Sequence, residues 1–157
     1  MYMSTEQKNK IKDLIKEIES NSSVELLAVI SNKIEAYSYI NSFISMISKK
    51  YNQKLADDYI DRYFNNIQKE NKDVKNIVLF FVCIEEKYVK ILTSHNINKK
   101  IDNNFWQKII DEFIIKVKEN KIEDGFINAI NSSKDILIRE FPNISNKNEL
   151  LNDVIEL

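Results

Sequence analysis

The chain has 157 residues, 43% of them hydrophobic and 30% charged, which fits one folded domain rather than a disordered segment. Its 23 Lys and Arg against 24 Asp and Glu leave a formal net charge of −1. That balance sets up no bulk field for nucleic acid or anionic lipid.

Ser4 and Gln7 form a capping-box pair, and Ile11, Leu14, Ile15 and Ile18 follow on one stripe, so residues 5–20 read as an amphipathic helix. Lys8, Lys12 and Lys16 recur every turn on it. Diluted by Asp13, Glu17 and Glu19, they read as a solvated face. The Asn-Ser-Ser at 21–23 stops the helix, and Val24 to Ile30 reads as a buried strand. Residues 35–48, EAYSYINSFISMIS, carry Ile40, Phe43, Ile44 and Ile47 at helical spacing. The expectation there is a packed amphipathic helix or a dimer contact, since a bilayer span needs ~20 apolar residues.

A further helix is expected over about 53–69, on Leu55, Tyr59, Tyr63, Phe64 and Ile67. The strongest strand signal covers 76–84. Glu85-Glu86-Lys87 turns the chain into a second strand, Tyr88 to Thr93. SHNINKK (94–100) reads as a loop. Asp102 or Asn103 then caps a helix carrying Phe105, Trp106, Ile109, Phe113 and Val117, with Trp106 in the core. Gly125, the sole glycine, sits near the start of a last helix that ends before Pro142, the sole proline. Leu150, Leu151, Val154 and Ile155 give the tail a helix-like face, so 143–157 is expected to be ordered as a short helix or docked segment.

This order implies an α/β fold: a single-domain, three-layer α/β/α sandwich on a mixed sheet, with a parallel crossover and an antiparallel hairpin. Residues 1–142 are expected to form the domain, and 143–157 a tail docked on it. The topology brings Ser22 to Glu25, Lys75 to Ile77 and Ser94 to Asn96 to one end of the sheet. Glu25, Asn76 and His95 are therefore the catalytic candidates, His95, the sole histidine, as a general acid or phosphate contact. Asp57 and Asp61, one turn apart, join Glu25 and Ser94 as metal-ligand candidates, although a solvated helix face is the plainer reading of the aspartates. Cys83, the sole cysteine, lies in an apolar run and reads as a buried hydrophobe in a reduced, cytoplasmic setting. No Walker loop, zinc spacing or nucleophile elbow is present in the sequence.

Several stretches resemble the TPM domain family of thylakoid lumen phosphatase, photosystem II repair and receptor auxiliary proteins. NSSVEL (21–26) stands at the family's entry to strand 1, KNIVLF (75–80) at the entry to strand 2, and SHNI (94–97) with Trp106 at the turn after strand 3. Gly125 precedes the last helix, and Phe141-Pro142, NISNK and NELLN match the family's ending. The resemblance implies an α/β/α sandwich, with phosphatase activity and calcium binding in some members. Many relatives carry membrane helices after strand 1, and this chain looks like a soluble member without a membrane span. The departures fall at the site. Val24, Ile77 and Asn96 replace glycines, Ser94 replaces an aspartate, and Asn146, Lys147 and Asn152 replace tail acids. The expectation is a non-catalytic binding or auxiliary domain with a degenerate metal/phosphate site, as monomer or weak homodimer with an unknown protein partner and no nucleic acid. The alternative is a weak metal-assisted acid phosphatase acting on phosphomonoesters.

Overall fold

The computed structural model describes residues 3–32, 49–143 and 153–157. The expected helix over 35–48, and Leu150 and Leu151 of the expected tail face, lie outside these residues. The elements are α1 (Thr5–Asn21), β1 (Glu25–Ser31), α2 (Lys49–Glu70), β2 (Ile77–Cys83), β3 (Tyr88–Thr93), α3 (His95–Lys100), α4 (Asn103–Lys118), α5 (Ile122–Glu140) and β4 (Ile155–Glu156).

Local chemistry fixes most of these boundaries. Ser4 and Gln7 close a reciprocal box, Gln7 N donating to Ser4 Oγ at 3.1 Å and Ser4 N to Gln7 Oε1 at 2.9 Å. At the other end of α1 the Ser22 hydroxyl donates to Ile18 O and accepts from Val24 N, turning the backbone into β1. Asp102 caps α4 by accepting from Asn104 N. Lys87 takes φ 50° in the β2–β3 turn, a left-handed position in which its Nζ reaches Asn120 Oδ1 at 2.8 Å.

The four strands lie in the order β3-β2-β1-β4. β1 and β2 are parallel, Glu25 opposite Ile77 and Ser31 opposite Cys83, and β3 returns antiparallel to β2, Tyr88 opposite Cys83. Every residue of β1 and β2 is buried, as a sheet covered on both faces requires. Alternation divides them. Leu26, Ala28, Ile30, Val78, Phe80 and Val82 pack with α1, α4 and α5, while Leu27, Val29, Leu79, Phe81 and Cys83 pack with Ala56, Ile60 and Phe64 of α2. The result is the expected α/β/α sandwich. Trp106 is buried against Phe80 and Phe105, as its place in the apolar stripe implied. Cys83 is fully buried.

Three local expectations change. Residues 95–100 form a short helix rather than a loop, anchored by Ile97, whose side chain has no exposure. At 155–156 the chain is a strand rather than part of a helix: Ile155 pairs with Val29 and Glu156 with Ile30, in parallel. Val154 and Ile155 therefore face opposite layers, Val154 joining the α1 side and Ile155 the α2 side. A helix would have placed both on one face. Finally, two of the α1 lysines are engaged rather than solvated. Lys8 pairs with Glu156 at 3.1 Å and Lys12 with Asp153 at 3.0 Å.

Candidate functional site

The N-terminal ends of β1 and β2 and the C-terminal end of β3 meet at one edge of the sandwich, as parallel and antiparallel pairing requires. Ser94 is buried there. Its hydroxyl donates to Lys75 O at 2.8 Å and accepts from Ile77 N at 3.0 Å, while its own N–H donates to Ile77 O at 2.9 Å. The side chain thus extends the β2–β3 ladder past Val78. It leaves α3 without a side-chain cap although it occupies the N-cap position.

Asn76 sits beside it. Its Nδ2 donates to Ser23 Oγ at 3.1 Å and Ser23 O at 3.4 Å, and its carbonyl accepts from Glu25 N at 2.8 Å. Its Oδ1 is buried without a hydrogen-bond partner among the described residues. Ser23 in turn donates its N–H to Phe141 O, and Ser22 bridges Pro142, so the end of α5 closes over the start of β1. A cleft of about 270 Å³ remains, lined by Ser23, Asn76, Asn96, Lys99, Lys100, Glu140, Phe141 and Pro142. Lys100 donates to Glu140 O and lies 5.2 Å from the centre of the Phe141 ring. His95 begins α3 exposed to solvent and is not part of the lining.

Glu25 is 6% exposed, neither solvated nor open to the cleft. Its carboxyl shares a hydrogen bond with Glu19 of α1. Burial, then that bond, then the nearby Glu25 charge push the Glu19 carboxyl up to about 9, against the opposing pull of the Leu26 N–H. Glu19 therefore keeps its proton at neutral pH beside the Glu25 carboxyl. Glu19 Oε2 accepts from Leu26 N at 2.9 Å, at a point on the outer edge of β1 below β4's two paired positions, so a side chain takes the place of a neighbouring strand. Glu19 was not among the sequence candidates. Its spacing of six from Glu25 carries no signal until the edge of β1 is known.

The structure separates the aspartates from this end. Asp57 and Asp61 converge on Lys90 of β3, at 2.5 and 2.7 Å, and Tyr88 donates to the same Asp57 oxygen at 2.5 Å. Burial opposes ionisation of Asp57, but the bonds from Lys90 and Tyr88 outweigh it and hold the carboxyl below its ordinary range. Lys90 is partly desolvated, and its two carboxylate bonds raise it overall. Tyr88 is raised by burial and by its bond to Asp57. Lys90 bridges the two acids into a strut between α2 and β3, one ammonium serving two carboxylates.

Calcium takes six to eight oxygen ligands, several of them carboxylates. The residues at the sheet end do not fit it. The Glu25 carboxyl is hydrogen-bonded to that of Glu19, and the Ser94 hydroxyl is committed to two backbone groups. Among the described residues no group of three or more His, Cys, Asp or Glu gathers as a metal site. No helix among them is long and apolar enough to cross a membrane.

A mixed four-stranded sheet between α1, α4 and α5 on one side and α2 on the other, with family motifs meeting at one strand end, places the protein among the TPM-like sandwiches. The chain belongs to the TPM domain family, whose profile matches residues 1–136. It is similar in fold to the BA42 protein from the psychrophilic bacterium Bizionia argentinensis, known from an NMR structure. The two share 22% identity with a TM-score of 0.76, over 99% of this chain and 96% of that one. No curated protein matches.

Proposed function

We propose that this chain is a non-catalytic binding or auxiliary TPM domain whose sheet-end site is closed and discharged. The observation that carries this reading is the Ser94 hydroxyl, which bonds to Lys75 O and Ile77 N inside the fold instead of facing a ligand. The side chains of Val24 and Ile77, 1% and 0% exposed, occupy the positions where the family has glycines, and they point the same way. Residues 1–142 make up the working domain in this proposal, with 143–157 a tail docked on it. The pairing of β4 with β1 supports that division. The buried thiol of Cys83 supports a reducing compartment such as the cytoplasm.

The test is a calcium titration of the folded protein, followed through the amide signals of Ser23, Glu25, Asn76 and Ser94. The expected outcome is no saturable change up to millimolar calcium. Saturation at micromolar calcium on those amides overturns the reading.

One observation favours the second reading, a weak acid phosphatase acting on phosphomonoesters. The cleft beside Asn76 is lined by two lysines, Lys99 and Lys100, the charge that an oxyanion requires. Hydrolysis of a phosphomonoester that falls on Asn76→Ala or Glu25→Gln, in protein shown to be folded, would decide for it.

A further inference from the structure

We propose that the outer edge of β1, with Lys8 and Lys12 of α1, is a receptor groove for an extended acidic-aliphatic peptide of a partner protein, held shut here by the chain's own residues 153–157. This goes beyond the reading above and does not depend on the state of the sheet-end site.

The tail is seated as a peptide is seated when it adds a strand to a sheet. Backbone pairing runs in parallel at Val29–Ile155 and Ile30–Glu156, and Leu157 N donates to Ile30 O at 2.9 Å. Side-chain alternation sorts the segment between two different environments. On the α1 side, Val154 is 7% exposed within the larger core, and Glu156 meets Lys8 at 3.1 Å. On the α2 side, Ile155 and Leu157 pack against the smaller core. Asp153 completes the pattern with Lys12 at 3.0 Å. The groove therefore reads acid, aliphatic, aliphatic, acid, aliphatic in extended form. The charge complementarity is specific, because Lys8 and Lys12 lie one turn apart on α1 and meet Glu156 on the strand and Asp153 in the bend before it.

The same features make the tail replaceable. Its ladder holds two residues. Both ion pairs are partly open to water, with side-chain exposures from 27% to 62%, so they are screened by salt and contribute little net affinity. What keeps the groove closed is that the tail is tethered, which gives it a high effective concentration. A partner segment of the same pattern, presented at high local concentration or with added contacts, makes the same bonds.

The lower limit of the groove is also built in. At Leu26 the outward N–H of β1 is already taken by the Glu19 carboxyl, so an added strand is held to the Ala28–Ser31 stretch unless it displaces that side chain.

The experiment uses the full chain and a fluorescent synthetic peptide of residues 148–157, followed by anisotropy. The variant Asp153→Lys with Glu156→Lys sets the tail against Lys8 and Lys12 and opens the groove. The expected result is binding at least ~10-fold tighter to this variant than to the parent chain, because the tethered competitor is weakened. Binding should fall with salt, and the peptide should shift the amide signals of Ala28 to Ser31. Adding Lys8→Glu and Lys12→Glu to the opened variant re-pairs the tail and should remove peptide binding. If the double tail variant loses its fold, the single Glu156→Lys variant carries the same comparison. Equal affinity for parent and opened chains overturns the proposal, as does no binding to a folded opened variant. A concentration-dependent dimer that excludes the peptide also overturns it, in favour of tail exchange between copies.

Discussion

Replacing Ser94 with alanine isolates the closure of the sheet end in one hydroxyl. Ser94 is 4% exposed, so water does not replace what is removed. Two hydrogen bonds disappear, at 3.0 Å from Ile77 N and 2.8 Å to Lys75 O. Lys75 is exposed, and its carbonyl can turn to water. Ile77 is fully buried, and its N–H is left without an acceptor. An orphaned buried donor costs about 1–3 kcal/mol, and an ordinary exchanged hydrogen bond contributes about 1 kcal/mol, so the expected loss is about 2–4 kcal/mol. For a domain with a urea slope of about 2 kcal/mol/M, the unfolding midpoint should fall by about 1–2 M, with the slope unchanged. Circular dichroism in urea measures this, and faster exchange of the Ile77 amide should accompany it. A midpoint within about 0.2 M of the parent, less than ~0.5 kcal/mol on that slope, would mean that the hydroxyl does not hold the strand ends. The closed-site reading would then lose its main support.

Two other substitutions test other parts of the fold. Gly125→Ala should destabilise: a methyl there comes within 2.9 Å of the Phe113 ring, which is buried and fixed edge-on against Phe126. Overpacking costs of about 1–3 kcal/mol outweigh the ~1 kcal/mol gained in helix propensity, so the calorimetric midpoint should drop by a few degrees, and a rise would refute the packing argument. Glu19→Gln should flatten the dependence of stability on pH. The folded-state carboxyl is pushed up to about 9 from the ordinary 4.5, so its contribution is complete below that lower value and fades as pH rises toward the upper one. Glutamine keeps an acceptor for Leu26 N and cannot ionise. Urea midpoints of parent and variant should converge near the acid end and separate in the variant's favour at the alkaline end. Parallel profiles would show that Glu19 does not hold the proton.

The elements legible in the sequence were those fixed by local chemistry. Ser4 with Gln7, the stripe of Ile11, Ile15 and Ile18, and the unbroken run from Ile77 to Cys83 each declare a period and an end within a few residues. Helix α3 was hidden because six residues with three polar positions in a row have no period to show. Burial of Ile97 holds it in place. The strand at 155–156 was hidden because two residues cannot display alternation, and Leu150, Leu151, Val154 and Ile155 imitate a helical face.

The site divides in the same way. That Ser23, Asn76 and Ser94 would meet follows from strand direction alone, and they do meet. What each does there depends on neighbours that direction cannot supply. The Glu19–Glu25 pair needs the edge of β1 in view, and the bridging of Asp57 and Asp61 needs α2 laid over β3, so that Lys90 falls between them. His95 shows the limit most plainly: the topology brings it to the right end, and its position on the first turn of α3 turns it out to water.

The two faces of the sheet carry different chromophores. Trp106, the sole tryptophan, is sealed at 4% exposure in the α1, α4 and α5 layer, with Phe80 and Phe105 edge-on to it and its Nε1 without a partner among the described residues. Tyr59, Tyr63 and Tyr88 belong to the α2 layer. Indole emission therefore watches one layer melt, and the ring-proton signals of these three tyrosines watch the other. Coincident transitions would show the sandwich opening as one cooperative unit. An earlier tyrosine transition would show α2 leaving first, with the larger core intact behind it.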